Sequence, residues 1–190
     1  MNEKKFDPKK LHKLNNPQRL LDIPVEYIWS KIQRATPEVF VDIGAGTGFF
    51  SVPFLKYLKN GKIFACDTSA IMIEWMTANI CPQYPDIVPL EMAESVVPLQ
   101  EGIADLVYMI NLHHELDNPQ SILEESYRIL KKNGALFIVD WKKEEMSEGP
   151  PLHIRYSPQQ VQAQLAKAAF ENGQFFEDMP KHFLVVAEKG

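Results

Sequence analysis

Residues 39–51 read VFVDIGAGTGFFS, and the order of residue types in this stretch decides the fold. Val39 to Ile43 is a short β-branched and aromatic run, the composition of a buried strand. Gly44, Gly46 and Gly48 follow at every second position, and an apolar helical pattern starts after them. Strand, glycine turn and helix start in that order make a nucleotide-sized crevice at the carboxyl end of a parallel strand. The glycines let the backbone come close to a ligand in dihedrals that a side chain forbids. A dinucleotide fingerprint has the form G-x-G-x-x-G and seats a pyrophosphate on the helix N-terminus. Here the last glycine comes one residue early, and Asp42 stands just ahead of the turn. A carboxylate there repels a pyrophosphate and suits a ligand that carries an ammonium group.

Outward from this turn, strand-like runs alternate with helix-like segments, the signature of an α/β sheet with parallel strands. Strands are expected near 39–43, 62–66, 87–91, 104–110 and 135–140, with helices near 48–58, 70–79 and 119–131. Pro53 removes a backbone donor inside the first helix and predicts a distortion there. Asn118 and Pro119 read as N-cap and first helical residue, and Asn133-Gly134 as a left-handed helix stop. After Asp140 a polar loop with Gly149-Pro150-Pro151 leads to a helix opening at Ser157-Pro158 and running to about Phe170. The tail reads as two strands joined by a turn near Met179-Pro180. Residues 1–38 form a leader with a helix over 25–34, expected to cover the crevice, and 39–190 the core of a single domain.

With 190 residues, the chain is long enough for one domain with a sizeable core. No secretory h-region or apolar run long enough to span a bilayer is present, and Cys66 and Cys81 suggest neither a disulfide framework nor a metal cluster. A cytoplasmic enzyme is the expectation. A net charge of −5 argues against sequence-independent nucleic-acid binding. The cluster Lys4, Lys5, Lys9, Lys10 and Lys13 reads as a solvated leader.

Candidate site residues fall where the parallel strands end. Asp67, followed by Thr68, closes the second strand and is placed to accept from ribose hydroxyls, or else to start the next helix. Met72, one turn on, is an adenine contact or plain core. Asn111 and Leu112 end the fourth strand beside the ligand, and His113 and His114 sit where an acceptor would enter. Either histidine is a candidate general base, and each has packing as its alternative role. Asp140 ends the fifth strand and is the other candidate base.

This pattern, over nearly the whole chain, resembles the class I S-adenosylmethionine-dependent methyltransferases, nearest to the ubiquinone- and menaquinone-biosynthesis type. A subgroup shares the Asp140-Trp141-Lys142-Lys143, Gly149-Pro150-Pro151, Arg155 and Ser157-Pro158 arrangement, with Asn16-Pro17-Gln18-Arg19 in the leader. The resemblance implies a Rossmann-like, mostly parallel seven-stranded sheet of order 3-2-1-4-5-7-6, helices on both faces and a reversed terminal hairpin. It implies S-adenosylmethionine cradled by Asp42, Gly44, Ala45, Gly46 and Gly48, with Ala93 and Glu94 on the adenine. Arg155 is expected either to clasp a carboxylate such as Asp140 or to touch substrate. The expected reaction is in-line transfer of the methyl group to a small-molecule acceptor, with no nucleic acid, no membrane and no metal involved. The alternatives are an NAD(P)-dependent oxidoreductase on a similar sheet and a non-catalytic module that binds the cofactor.

Overall fold

A computed structural model describes residues 11–32 and 37–190. Lys4, Lys5, Lys9 and Lys10 of the basic cluster, and Arg34 at the end of the leader helix, lie outside the described residues. Seven strands make one sheet in the order β3-β2-β1-β4-β5-β7-β6. They are β1 Val39–Ile43, β2 Lys62–Asp67, β3 Ile87–Glu91, β4 Ala104–Ile110, β5 Leu130–Trp141, β6 Phe170–Phe176 and β7 His182–Lys189. The pairs among β1 to β5 are parallel, whereas β7 runs antiparallel to both β5 and β6. The helices are α1 Leu11–Leu14, α2 Gln18–Asp22, α3 Val25–Ile32, α4 Ser51–Phe54, α5 Ala70–Asn79, α6 Pro119–Ile129 and α7 Pro158–Lys167.

Alternation along each strand feeds two cores, one on each face of the sheet. On one face Phe40, Ile63, Leu106, Tyr108 and Phe137 pack against Ile28 of α3, Phe54 of α4 and Met76 of α5. Tyr108 and Phe137 stack there with ring centroids 5.0 Å apart and ring planes nearly parallel. On the other face Val41, Val107, Leu136 and Val185 meet Ile122 and Leu123 of α6 and Val161 and Leu165 of α7. Capping fixes where both of these helices start. Asn118 accepts from the Ser121 amide ahead of Pro119, and Ser157 forms a reciprocal capping box with Gln160 ahead of Pro158.

Two local expectations are corrected. The helix expected over 48–58 shrinks to α4 and a 3-10 turn at Leu55–Tyr57. Gly48 has φ +70°, so the helix cannot start there, and Pro53 falls in the first turn of the short α4, where its missing N–H has no intrahelical partner to lose. Likewise α6 stops at Ile129 and β5 begins at Leu130, so Asn133-Gly134 does not end a helix. Asn133 takes φ +61° inside the strand, where the register jumps from Ala104↔Leu130 to Leu106↔Ala135. The left-handed residue serves a bulge.

Candidate active site

Parallel strands end on one side of the sheet, and the ends of β1, β2, β4 and β5 open onto a cleft of about 1390 Å³. The turn after β1 forms its floor. Gly44 and Gly46 have φ of +73° and +57° and line the cleft with Asp42, Ala45 and Thr47. A Cβ on Gly44 would lie 2.7 Å from the Leu112 side chain, and one on Gly46 would lie 3.2 Å from Leu14 of the leader. Gly48 departs from expectation and is absent from the lining. A Cβ there would press on the Met76 sulfur at 3.2 Å, so this glycine serves helix packing.

Asp42 is buried, and its Oδ2 accepts from Ser51 Oγ at 2.6 Å. Burial pushes its carboxyl up to about 7, against the lowering effect of the Ser51 bond. Asp67 ties the site together. Its Oδ2 accepts from the Gly46 amide at 2.8 Å and its Oδ1 from the Ser69 amide at 2.9 Å. The carboxylate therefore fixes the glycine turn and holds the amide of Ser69, the residue just ahead of α5, without capping the helix itself, and Asp67 lines the cleft along with Thr68 and Met72. Glu94 also lines the cleft, but Ala93 does not. The Ala93 amide is bonded to the Val96 carbonyl at 3.2 Å, so it is not available to a ligand ring nitrogen, and Met92 takes the place on the wall.

Asn111 and Leu112 line the far side. Asn111 has φ +57°, a conformation that asparagine tolerates better than most residues and that recurs at functional sites. The adjacent histidines have different fates. His113 is fully buried and off the cleft, with Nε2 2.8 Å from Gln164 Oε1 and its ring edge-on to Tyr156. This corrects its reading as a candidate base. His114 lines the cleft, and its Nδ1 lies 2.7 Å from Asp140 Oδ1. Burial alone would lower its pKa, but the bond to Asp140 and that residue's charge outweigh burial and raise it. Asp140 is buried behind the histidine and absent from the lining, so its reading as a base in contact with substrate is corrected too. It accepts from the His114 amide at 2.9 Å and the Trp141 amide at 2.8 Å, and the imidazole holds its pKa below the usual range despite burial.

Arg155 is a clasp of an unexpected kind. Among the described residues it pairs with no carboxylate, and instead donates to the carbonyls of Pro150, Lys142, Glu144 and Glu148, fixing the loop whose Gly149, Pro150 and Pro151 wall the cleft. Several lining residues carried no signal in the sequence. His182, on β7, is buried against Trp141 at 4.4 Å between ring centroids, and burial holds its pKa down to about 4. Neither nitrogen of His182, nor Thr47 Oγ1, nor Asn111 Oδ1 has a hydrogen-bond partner among the described residues. All three residues line the cleft, and buried orphan groups of this kind mark a ligand site.

Residues 41–138, just over half of the chain and including the glycine turn, match the methyltransferase domain family. The chain belongs to that family. A crystal structure of an S-adenosylmethionine-dependent methyltransferase from Aquifex aeolicus is 31% identical, covers 98% of this chain and 100% of its own, and superposes with a TM-score of 0.90. The cofactor of this methyltransferase is S-adenosylmethionine, and the nicotinamide alternative falls away. Among curated proteins, a tRNA(Phe) (4-demethylwyosine(37)-C(7)) aminocarboxypropyltransferase from Methanocaldococcus jannaschii is 27% identical over 52% of this chain and 38% of its own. A ribosomal RNA small subunit methyltransferase H from Leptospira borgpetersenii is 26% identical over 52% of this chain and 29% of its own. The methyltransferase thus spans about a third of the length of these relatives. Their names point to RNA, which overturns the expectation of a small-molecule acceptor with no nucleic acid. Among the described residues no helix is long and apolar enough to cross a membrane.

Proposed function

We propose that this methyltransferase moves a methyl group to an acceptor held at the His114 end of the cleft, with His114 as the base that takes the acceptor's proton. The carrying observation is the His114–Asp140 pair on the cleft wall, beside the glycine turn. S-adenosylmethionine, when bound, supplies a methyl group on a sulfonium that leaves readily. The chain's part is to hold, orient and deprotonate. Asp42 would face the ammonium group, Asp67 with Thr68 the ribose, Met72 and Glu94 the adenine, and Asn111 and Leu112 the methionine stem. Gly44, Ala45 and Gly46 leave room for that ligand, and the orphaned Thr47 and Asn111 oxygens give it polar partners. Asp140 acts through His114: by accepting from Nδ1 it fixes the tautomer and leaves Nε2 for the acceptor's proton. Positioning supplies much of the remaining rate.

For the acceptor, RNA has the support of the two curated relatives, and in this reading a nucleoside of an RNA enters beside Trp141 and His182. The two free thiols, Cys66 and Cys81, support a reducing, cytoplasmic setting. In this reading residues 1–190 belong to one domain, of whose leader residues 13–19 line the cleft. Incubation with methyl-labelled S-adenosylmethionine and total RNA tests it. Label is expected in RNA with the wild type and reduced at least a hundredfold with His114→Ala, in line with loss of a general base. Transfer that survives His114→Ala would remove the histidine from the mechanism, and absence of label with intact cofactor binding would remove RNA.

A further inference from the structure

We propose that His182 reads the acceptor: its ring hydrogen-bonds the edge of the nucleobase to be methylated and so decides which base the enzyme takes. This rests on the RNA reading given above, in which the acceptor enters beside this residue. His182 is the first residue of β7. Because β7 runs antiparallel to β5, its start meets the edge of the sheet where β1, β2, β4 and β5 finish. The register sets His182 opposite Trp141, the last residue of β5, and the two rings pack with centroids 4.4 Å apart. The sheet order separates this pair from the proposed cofactor contacts on the turn after β1 and at the end of β2, because β4 and β5 lie between β1 and β7. His182 therefore borders the part of the cleft left for an acceptor.

The imidazole is 2% exposed, and neither ring nitrogen has a hydrogen-bond partner among the described residues. A buried ring with both nitrogens unspent weakens the fold unless a ligand uses them. Neither nitrogen is open to bulk water, so the group that meets them arrives through the cleft that His182 lines. Its neighbour is held firmly. A Cβ on Gly149 would come within 2.8 Å of the Trp141 indole, and Arg155, which ties that loop down through four carbonyls, stands 5.8 Å from the indole centroid. Charge then selects the occupant. Burial lowers the His182 pKa to about 4, with Asp140 and Asp22 raising it and Arg19 and Lys181 lowering it. Lys181 is itself paired with Asp22 and Glu148. At neutral pH the ring is uncharged, so it offers one N–H donor and one lone pair and gives a phosphate no charge to pair with. An uncharged edge with its own donor and acceptor is the matching partner. Nucleobases carry such edges, each with a different pattern, and the indole beside the imidazole suits their faces. A ligand that leaves a buried polar group unpaired is rejected strongly, which makes the contact a filter.

Adenosine, guanosine, cytidine and uridine, each titrated into the protein saturated with S-adenosylhomocysteine, test the contact. The readout is the ring-nitrogen NMR signals of His182, assigned from the spectrum of His182→Gln. One nucleoside should move both signals and bind at least tenfold more tightly than the other three. His182→Phe keeps a ring against Trp141 but removes both nitrogens. It should weaken that nucleoside by roughly tenfold to a hundredfold and level the four affinities, with S-adenosylhomocysteine binding within twofold of the wild type. His182→Gln, which keeps a donor and an acceptor, should recover part of the preference. Signals of His182 in the wild type that no nucleoside moves would overturn the proposal, whatever the variants do. Equal weakening of all four nucleosides in His182→Phe would make the ring mere packing and overturn it too. A wild type that labels no RNA, yet shows the His182 shift with one nucleoside, would overturn RNA as the source of the base and leave the base contact standing.

Discussion

Asp140 Oδ1 lies 2.7 Å from Nδ1 of His114, and Oδ2 of the same carboxylate accepts the His114 backbone amide at 2.9 Å. One buried side chain therefore fixes both the position and the ring orientation of the histidine that lines the cleft. A histidine held from ring and backbone together has little freedom to turn, and its Nε2, 3.8 Å from Glu115 Oε1, is the ring nitrogen that can meet a substrate.

Replacing Asp140 by Asn should lower the His114 pKa, because burial is then opposed only by the weaker influence of Glu115. Titration of the histidine Cε1–Hε1 signals by NMR reads this directly. In the wild type the raised pKa stabilises the fold below pH 6.5, and that contribution is lost as the pH rises through the folded value. The melting temperature of Asp140→Asn should accordingly lose this component of its pH dependence. A His114 signal that titrates unchanged in the variant would break the link between the two residues.

Asp42 gives binding a pH dependence of its own. Its carboxyl is held up to about 7 by burial, with Ser51 and Tyr108 lowering it, Asp67 raising it and Arg19 lowering it. An ammonium ligand needs the charged form, so S-adenosylhomocysteine affinity should climb toward tenfold per pH unit below about 7 and flatten above it. Stability of the free protein has the opposite sign, falling as the pH rises from the ordinary carboxylate range through about 7, because the folded state holds the extra proton. Asp42→Asn should flatten both curves. Calorimetry and thermal melts between pH 5.5 and 8.5 measure them, and an affinity independent of pH in the wild type would contradict the assignment.

Gly46→Val should abolish S-adenosylhomocysteine binding, since a branched side chain would strain a φ of +57° and collide with Leu14 in the floor of the cleft. Gly102 is the control. It has φ +64° with open space around it, so Gly102→Ala should cost about 1–2 kcal/mol of stability from the backbone alone and leave binding intact. Isothermal titration beside urea unfolding separates the two effects. Normal affinity in Gly46→Val would move the ligand away from the turn.

His113→Ala should cost about 2–4 kcal/mol in urea unfolding, because it empties a fully buried site and strands the Gln164 side chain. Cofactor affinity should stay within twofold. If binding were lost while the fold held, His113 would have a part in the site that its packing does not explain.

Much of the fold was legible in local patterns. Val39–Ile43 and Ala104–Ile110 are strands over the residues expected, and Ala70–Asn79 is a helix over the residues expected. Apolar periodicity and caps such as Asn118 act over a few neighbours, so they can be read from the chain. The glycine turn was legible for the same reason, since its positive φ values are a property of single residues. What failed were readings that depended on a distant partner. Asn133-Gly134 looks like a helix stop until the pairing of β5 with β4 turns it into a bulge. Gly48 looks like part of a cradle until Met76 is packed against it.

His113 and His114 show where sequence ends and tertiary structure begins. They are the same residue type, side by side, and nothing local separates them. In the 3-10 turn they project in different directions, one toward Gln164 on α7 and the other toward Asp140 at the end of β5. The chain by itself determined the sheet, the turn and the acidic residues near it, because these follow from backbone preference and burial within short segments. Only the folded molecule decided which histidine meets the cleft, and only it brought Arg19 and His182 there from opposite ends of the chain. Such choices are made by contacts between segments far apart in sequence, and no local pattern encodes them.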